Sequence, residues 1–130
     1  MTFIGDISAR ARANTRFREV EATAPHSQVV VMSIPPGGEI GEETHDTIDQ
    51  VLVIVDGEAD TVIDGPSAVH EGDLILVPAG TRHNVVNRGT RDLRLYTIYA
   101  PPGHAPGTVH LTKAEADADD ADHYAAVPTG

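Results

Sequence analysis

The sequence contains no cysteine, which excludes a disulfide framework, a thiolate metal site and a cysteine nucleophile at once. Tryptophan is also absent and aromatic residues make up only 4% of the chain, so a core has to be assembled mostly from Val, Ile and Leu. Such residues favour strands when they come in short runs. Positive charge is scarce, with 9 Lys plus Arg against 20 Asp plus Glu and a formal net charge of -11. A surface of that sign repels phosphate backbones and anionic headgroups, which argues against nucleic-acid and membrane partners. No apolar run approaches the length that spans a bilayer, and the opening MTFIGDISAR lacks a basic start followed by an apolar stretch. Together these absences predict a soluble cytoplasmic protein.

What is present fits one small domain. At 130 residues and 40% hydrophobic content the chain can bury a single core. The charges are unevenly placed: Arg10, Arg12, Arg16 and Arg18 lie near the start, and Glu115, Asp117, Asp119, Asp120 and Asp122 near the end, which reads as two solvated ends of opposite sign. Asp6 to Ala13 can form a short helical turn. From Thr15 onward, short segments rich in Val, Ile, Thr and Tyr alternate with Gly, Pro and Asp clusters, the pattern of a sandwich or barrel of short strands. The predicted strands are Arg16 to Ala22, Gln28 to Ile34, Glu42 to Thr47, Gln50 to Asp56, Ala59 to Ile63, Asp73 to Val77, His83 to Asn87 and Leu93 to Tyr99. Turns follow from Pro35-Pro36-Gly37-Gly38, Asp56-Gly57, Asp64-Gly65-Pro66 and Pro78-Ala79-Gly80. With no helix-period stretch between the strands, a jelly-roll barrel fits better than a parallel α/β sheet. Thr112 and Glu115 form a capping-box signal for a peripheral C-terminal helix that frays by about Tyr124, leaving Ala125 to Gly130 as a mobile tail. The expected organisation is an N-terminal arm and first strand over 1–27, a barrel over 28–112, and the helix and tail over 113–130.

Two segments carry the chemistry. In PGGEIGEETHDTIDQVLVIVDGE the residues Gly37, Glu43, His45, Gln50 and Gly57 have the spacing G-x5-E-x-H-x4-Q-x6-G. In GDLILVPAGTRHNVVN the residues Gly72, Pro78, Gly80, His83 and Asn87 have the spacing G-x5-P-x-G-x2-H-x3-N. On a strand Glu43 and His45 share a face, whereas Gln50 has the opposite parity and needs a bend between Asp46 and Asp49 to join them. Inward residues of facing strands in a small closed barrel converge within side-chain reach. If Gln50 faces inward, Leu52 and Ile54 follow it, and Val85 accompanies His83, giving an apolar cavity with a polar end.

The two spacings resemble the paired motifs of the cupin superfamily over about residues 28 to 112. The second motif matches in full, while the first keeps every interval but has Glu43 in place of its first His and Gln50 in place of its Glu. The resemblance implies an all-β jelly-roll barrel with a short C-terminal helix. It also implies a metal site of Glu43, His45, Gln50 and His83 holding one divalent ion. Two imidazoles, a carboxylate and an amide oxygen suit Fe, Mn, Ni, Co or Zn better than Ca. The preferred expectation is a metal-dependent enzyme acting on a small oxygen-bearing molecule, with Glu43 as ligand or general base and Lewis-acid chemistry of the isomerase or lyase kind. A non-haem iron dioxygenase and a non-catalytic small-molecule-binding barrel are the alternatives. A homodimer is expected, as many cupins form one. Of the remaining ionisable side chains, His26, His70, His104, His110 and His123 read as exposed loop histidines and Arg82 as a solvated charge. One of Tyr96 and Tyr99 must face inward.

Overall fold

The computed structural model describes residues 2–124, so the expected mobile tail lies outside the described residues. Nine strands form two antiparallel sheets: β1 (Arg18–Thr23), β2 (Gln28–Ile34), β3 (Asp49–Asp56), β4 (Glu58–Val62), β5 (Pro66–His70), β6 (Leu74–Val77), β7 (Asn84–Asn87), β8 (Leu93–Ala100) and β9 (Val109–His110). The larger sheet has the order β6-β3-β8-β2-β1-β9 and the smaller one β5-β4-β7. This is the all-β barrel expected from the short Val- and Ile-rich runs, with two short helices, α1 (Ile7–Ala13) and α2 (Lys113–Ala118).

Alternation along the strands decides what lies inside. On β3, Gln50, Leu52 and Ile54 are buried while Val51 and Val53 are only partly so, and β8 buries Leu93, Leu95, Thr97 and Tyr99. Register then stacks inward residues in rows across the larger sheet. One row runs Arg18, Met32, Leu95 and Ile54, the next Val20, Val30, Thr97 and Leu52, and the third Gln28, Tyr99 and Gln50. These side chains pack against Ala59, Val85 and Ile40 from the opposite side of the barrel. Fully burying each such aliphatic side chain contributes roughly 1.5–3 kcal/mol, so the core rather than any single contact holds the barrel closed. Helix α1 starts at Asp6, whose Oδ1 accepts from the Ala9 N–H at 3.0 Å. It covers the outer face of the sheet, where Ile7 and Ala11 pack with Val31, Val55 and Tyr96.

The structure corrects the sequence reading in three places. The expected strand Glu42 to Thr47 is an irregular segment that touches β7 only through bridges at Glu39–Val86 and Glu43–His83. Gly41, at φ +108°, takes the chain out of the extended conformation and breaks the ladder there. Second, β5 and β9 were not anticipated. PSAVH has one aliphatic side chain larger than alanine, and β9 is only two residues long, so neither carries a periodic signal. Third, the two charged ends are not merely solvated: Arg18 is buried at 8% exposure, and Asp122 is bound to the loop after β8. Helix α2 forms where the capping box placed it, with the Thr112 side chain accepting from Glu115 N–H.

Candidate metal centre

Two loop connections are locked together before any side chain reaches the site. Pro78 and Thr81 close a tight turn through Thr81 N–H to the Pro78 carbonyl at 3.2 Å, with Gly80 at φ +84°, a conformation that favours glycine at this turn position. The Gly80 N–H donates to the His45 carbonyl at 2.7 Å, and the Ala79 N–H donates to Asp49 Oδ1 at 2.8 Å. Glu43 and His83 exchange both backbone hydrogen bonds, at 2.9 and 3.0 Å, and so stand directly opposite one another. Directly paired residues put their side chains on the same face, and His45, two residues on, joins them. The chain then bends at Asp46 and Thr47, as the parity of Gln50 required, and enters β3.

The result brings all four expected residues to one end of the barrel. Glu43, His45 and His83 each direct one ligand-type atom into a group lying within 4.8 Å of one another. Glu43 Oε1 is 3.4 Å from His45 Nε2 and 3.7 Å from His83 Nε2. Gln50, fully buried, donates from its amide nitrogen to Thr97 Oγ1 at 3.0 Å, which turns Oε1 towards His83 Nε2, also at 3.0 Å. His83 Nδ1 lies 2.9 Å from the Thr81 carbonyl and must carry the proton there, because a carbonyl only accepts. In the neutral imidazole the Nε2 lone pair therefore faces an oxygen lone pair. Among the described residues, Glu43 Oε1 and His45 Nε2 are buried with no hydrogen-bond partner.

Such a cluster of converging acceptors costs free energy unless a cation lies among them. Ligands at right angles around an ion with bonds of roughly 2.1 Å are about 3 Å apart, and tetrahedral ones somewhat more, which matches the separations here. The donor set of two imidazoles, one carboxylate and one amide oxygen therefore fits a divalent transition metal. Burial pushes the Glu43 carboxyl upward, but His45, then His83 and Arg18, more than offset this and hold it below its ordinary value. The group is thus an anion in the neutral range, the state that a cation requires.

A cupin-domain profile matches residues 30–99, which take in both motif segments and every site residue. The chain belongs to the cupin family. Relatives of this cupin include YrkC of Bacillus subtilis, 41% identical over 121 residues, covering 88% of this chain and 65% of YrkC. The chain thus spans about two thirds of that relative's length. A protein of Acanthamoeba polyphaga mimivirus is 34% identical over 87% of this chain and 74% of its own. A crystal structure from Bacillus halodurans superimposes with a TM-score of 0.89 at 42% identity, covering 91% of this cupin and 95% of that chain.

Residues around the site depart from the sequence reading more than the four motif positions do. Tyr99 is the inward tyrosine, 1% exposed, and its ring meets His45 edge-on at 5.8 Å and His104 edge-on at 4.9 Å. Burial, with Glu43 adding to it, holds the Tyr99 hydroxyl proton far above its usual pKa. His104 and His110 are not exposed loop histidines. His104 Nδ1 lies 2.6 Å from Asp122 Oδ2, and His110, 2% exposed, lies 2.9 Å from Asp119 Oδ2 through Nε2. A hint was available in the sequence: two histidines precede a run of aspartates by 9 and 18 residues, but nothing local shows that the chain folds back. Arg82 is exposed as expected and pairs with Glu42 at 3.4 Å.

The His104–Asp122 pair gives the fold an acid limb. Burial, helped by Arg18, holds the His104 imidazole below its ordinary value against the pull of Asp122. Burial raises Asp122, but His104, Ala105 and Thr108 outweigh it and hold the carboxyl low. Both groups bind protons more readily in the unfolded chain, so stability rises with pH through their ordinary values and falls on acidification. The melting temperature is expected to decline from pH 7 through the ordinary histidine range, and again below the ordinary carboxylate value of 3.8. Asp122→Asn should flatten the lower limb in calorimetry across pH. An unchanged profile in that variant would refute the assignment.

Proposed function

We propose that this cupin is a metal-dependent enzyme for a small oxygen-bearing molecule, with Glu43, His45 and His83 as ligands and the Gln50 amide oxygen as a weaker fourth. The observation that carries the proposal is the set of buried acceptors, Glu43 Oε1, His45 Nε2 and His83 Nε2, turned toward each other. A divalent ion bound there supplies Lewis acidity toward a carbonyl or hydroxyl oxygen. Gln50, held by Thr97, keeps its oxygen on the site without adding negative charge, so one carboxylate rather than two offsets the cation. That favours redox-neutral chemistry of the isomerase or lyase kind. Glu43 holds the ion through Oε1, and its second oxygen can take a proton from a bound molecule. Tyr99, with its proton firmly held, stays a neutral wall and hydrogen-bond donor.

A carboxylate with two histidines is also the ligand chemistry of non-haem iron oxygenases, which makes that class the second reading. The two separate by experiment. Chelator-stripped protein reloaded in turn with Zn, Ni, Mn, Co or Fe(II) is offered a panel of hydroxy and keto acids, with products followed by NMR and oxygen by electrode. Turnover with several ions and no oxygen uptake is expected. Turnover with Fe(II) alone and one O2 consumed per product would overturn the redox-neutral reading, and no product with any ion would favour a binding barrel. A homodimer through edge strand β6, where Leu74 and Leu76 are exposed side by side, is proposed alongside; a monomeric mass by sedimentation would remove it.

A further inference from the structure

The unpartnered buried atoms extend beyond the metal ligands. Among the described residues, Arg18 Nε and His104 Nε2 are also buried without a hydrogen-bond partner. Arg18 stands in the inward row with Met32, and its NH1 reaches only the His110 Nδ1 at 3.4 Å, a neutral acceptor because His110 Nε2 carries the proton shared with Asp119. Arg10, Arg12, Arg16, Arg82, Arg88, Arg91, Arg94 and Lys113 each pair with a carboxylate. Arg18, the cation with the least access to water, is the exception among the described residues. A buried guanidinium without a counter-anion is unfavourable, and a ligand that brings the anion removes the penalty. Its charge acts on Glu43, Tyr99 and His104, which places it on the same interior as the metal centre.

His104 offers the complementary group. Asp122 fixes the proton on Nδ1, so Nε2 presents a lone pair beside Tyr99, whose ring in turn meets His45. Between the Arg18 row and the Tyr99 row lies the row of Val20, Val30, Thr97 and Leu52, largely apolar. From these placements we infer that the barrel takes a small hydroxycarboxylic acid, its carboxylate on Arg18, a short hydrocarbon spacer over Val20 and Val30, and its hydroxyl accepted by His104 beside Glu43, His45 and His83. The inference rests on the proposed metal-dependent reading for its choice of end, but Arg18 and His104 belong to the protein and act without the ion.

The test uses 4-hydroxybutyrate, butyrate and 4-hydroxybutyramide as probes, titrated by calorimetry into Zn-loaded and chelator-stripped protein. The hydroxy acid is expected to bind about ten-fold more tightly than the amide in both forms, the worth of one hydrogen bond to a charged group. Arg18→Met should erase that preference, keep full zinc content and melt no lower than the parent, because it removes an uncompensated buried charge. His104→Phe should erase the preference for the hydroxy acid over butyrate while leaving the preference over the amide. Equal binding of acid and amide by the parent, or a preference that survives Arg18→Met, would overturn the inference. A drop in melting temperature of Arg18→Met with unchanged probe binding would show a structural role instead and overturn it too. Loss of zinc binding with the carboxylate preference intact would sink the metal reading and leave this one standing.

Discussion

Replacing His45 or His83 with alanine is expected to abolish stoichiometric metal and to lower the melting temperature of the metal-loaded protein by on the order of 10 °C. An ion that binds only the folded state stabilises it by about 4 kcal/mol when present at a thousand times its dissociation constant. For a domain of this size each kcal/mol corresponds to roughly 2–8 °C. Both histidines aim Nε2 at Glu43 Oε1, so losing either leaves the carboxylate with a single imidazole. His83 is also 3% exposed, and its truncation costs packing regardless of metal. Chelation separates the two effects: it should lower the parent's melting temperature and leave both variants where they are. His70→Ala is the control, since that side chain is exposed and pairs only with Asp73. Metal analysis showing equal content in parent and both variants would refute the centre.

The site was legible in the sequence because its signals are local. Glu43 and His45 share a face by parity, Asp46 to Asp49 supplies the bend, and Pro78 to Gly80 supplies the turn before His83. Those intervals survived even though Glu42 to Thr47 turned out to be irregular, because one two-bond bridge at Glu43 and His83 suffices to set the facing side chains. The strands with bulky alternating residues were legible for the same reason, and β2 lies where it was expected, from Gln28 to Ile34. What was not legible depends on contacts distant in sequence. His104 and His110 acquire their roles only when Asp122 and Asp119 return from beyond α2, and Arg18 becomes a buried cation only when β9 covers the edge of β1. A sequence scan sees a basic start and an acidic end, whereas the fold uses members of both to build the wall opposite the metal centre.

The last residue of the second motif, Asn87, is expected to matter for stability rather than for metal. Its side chain is 1% exposed, and Nδ2 donates to the carbonyls of Ile34 and Arg91, both at 2.9 Å. Oδ1 accepts from the Gly89 N–H at 2.9 Å, so one amide ties the end of β2 to the turn between β7 and β8. The backbone of the same residue bonds Gly37 and Gly38 in the first motif, which explains why the two motifs are joined structurally as well as chemically. Asn87→Ala leaves the backbone links but strips partners from two carbonyls and one N–H at a buried junction. Each lost bond costs about 1 kcal/mol, and each buried group left unpaired raises that, so a loss of about 3 kcal/mol or more is expected. Asn87→Asp, nearly the same shape, should be at least as damaging, because it points a carboxylate at two carbonyl oxygens. Urea denaturation measures both. Metal bound per folded molecule should stay at the parent's value, since Asn87 lies four residues from His83 and touches no proposed ligand. A midpoint shift in Asn87→Ala equivalent to less than about 1 kcal/mol would show that water replaces the amide, and the clamp would have to be abandoned.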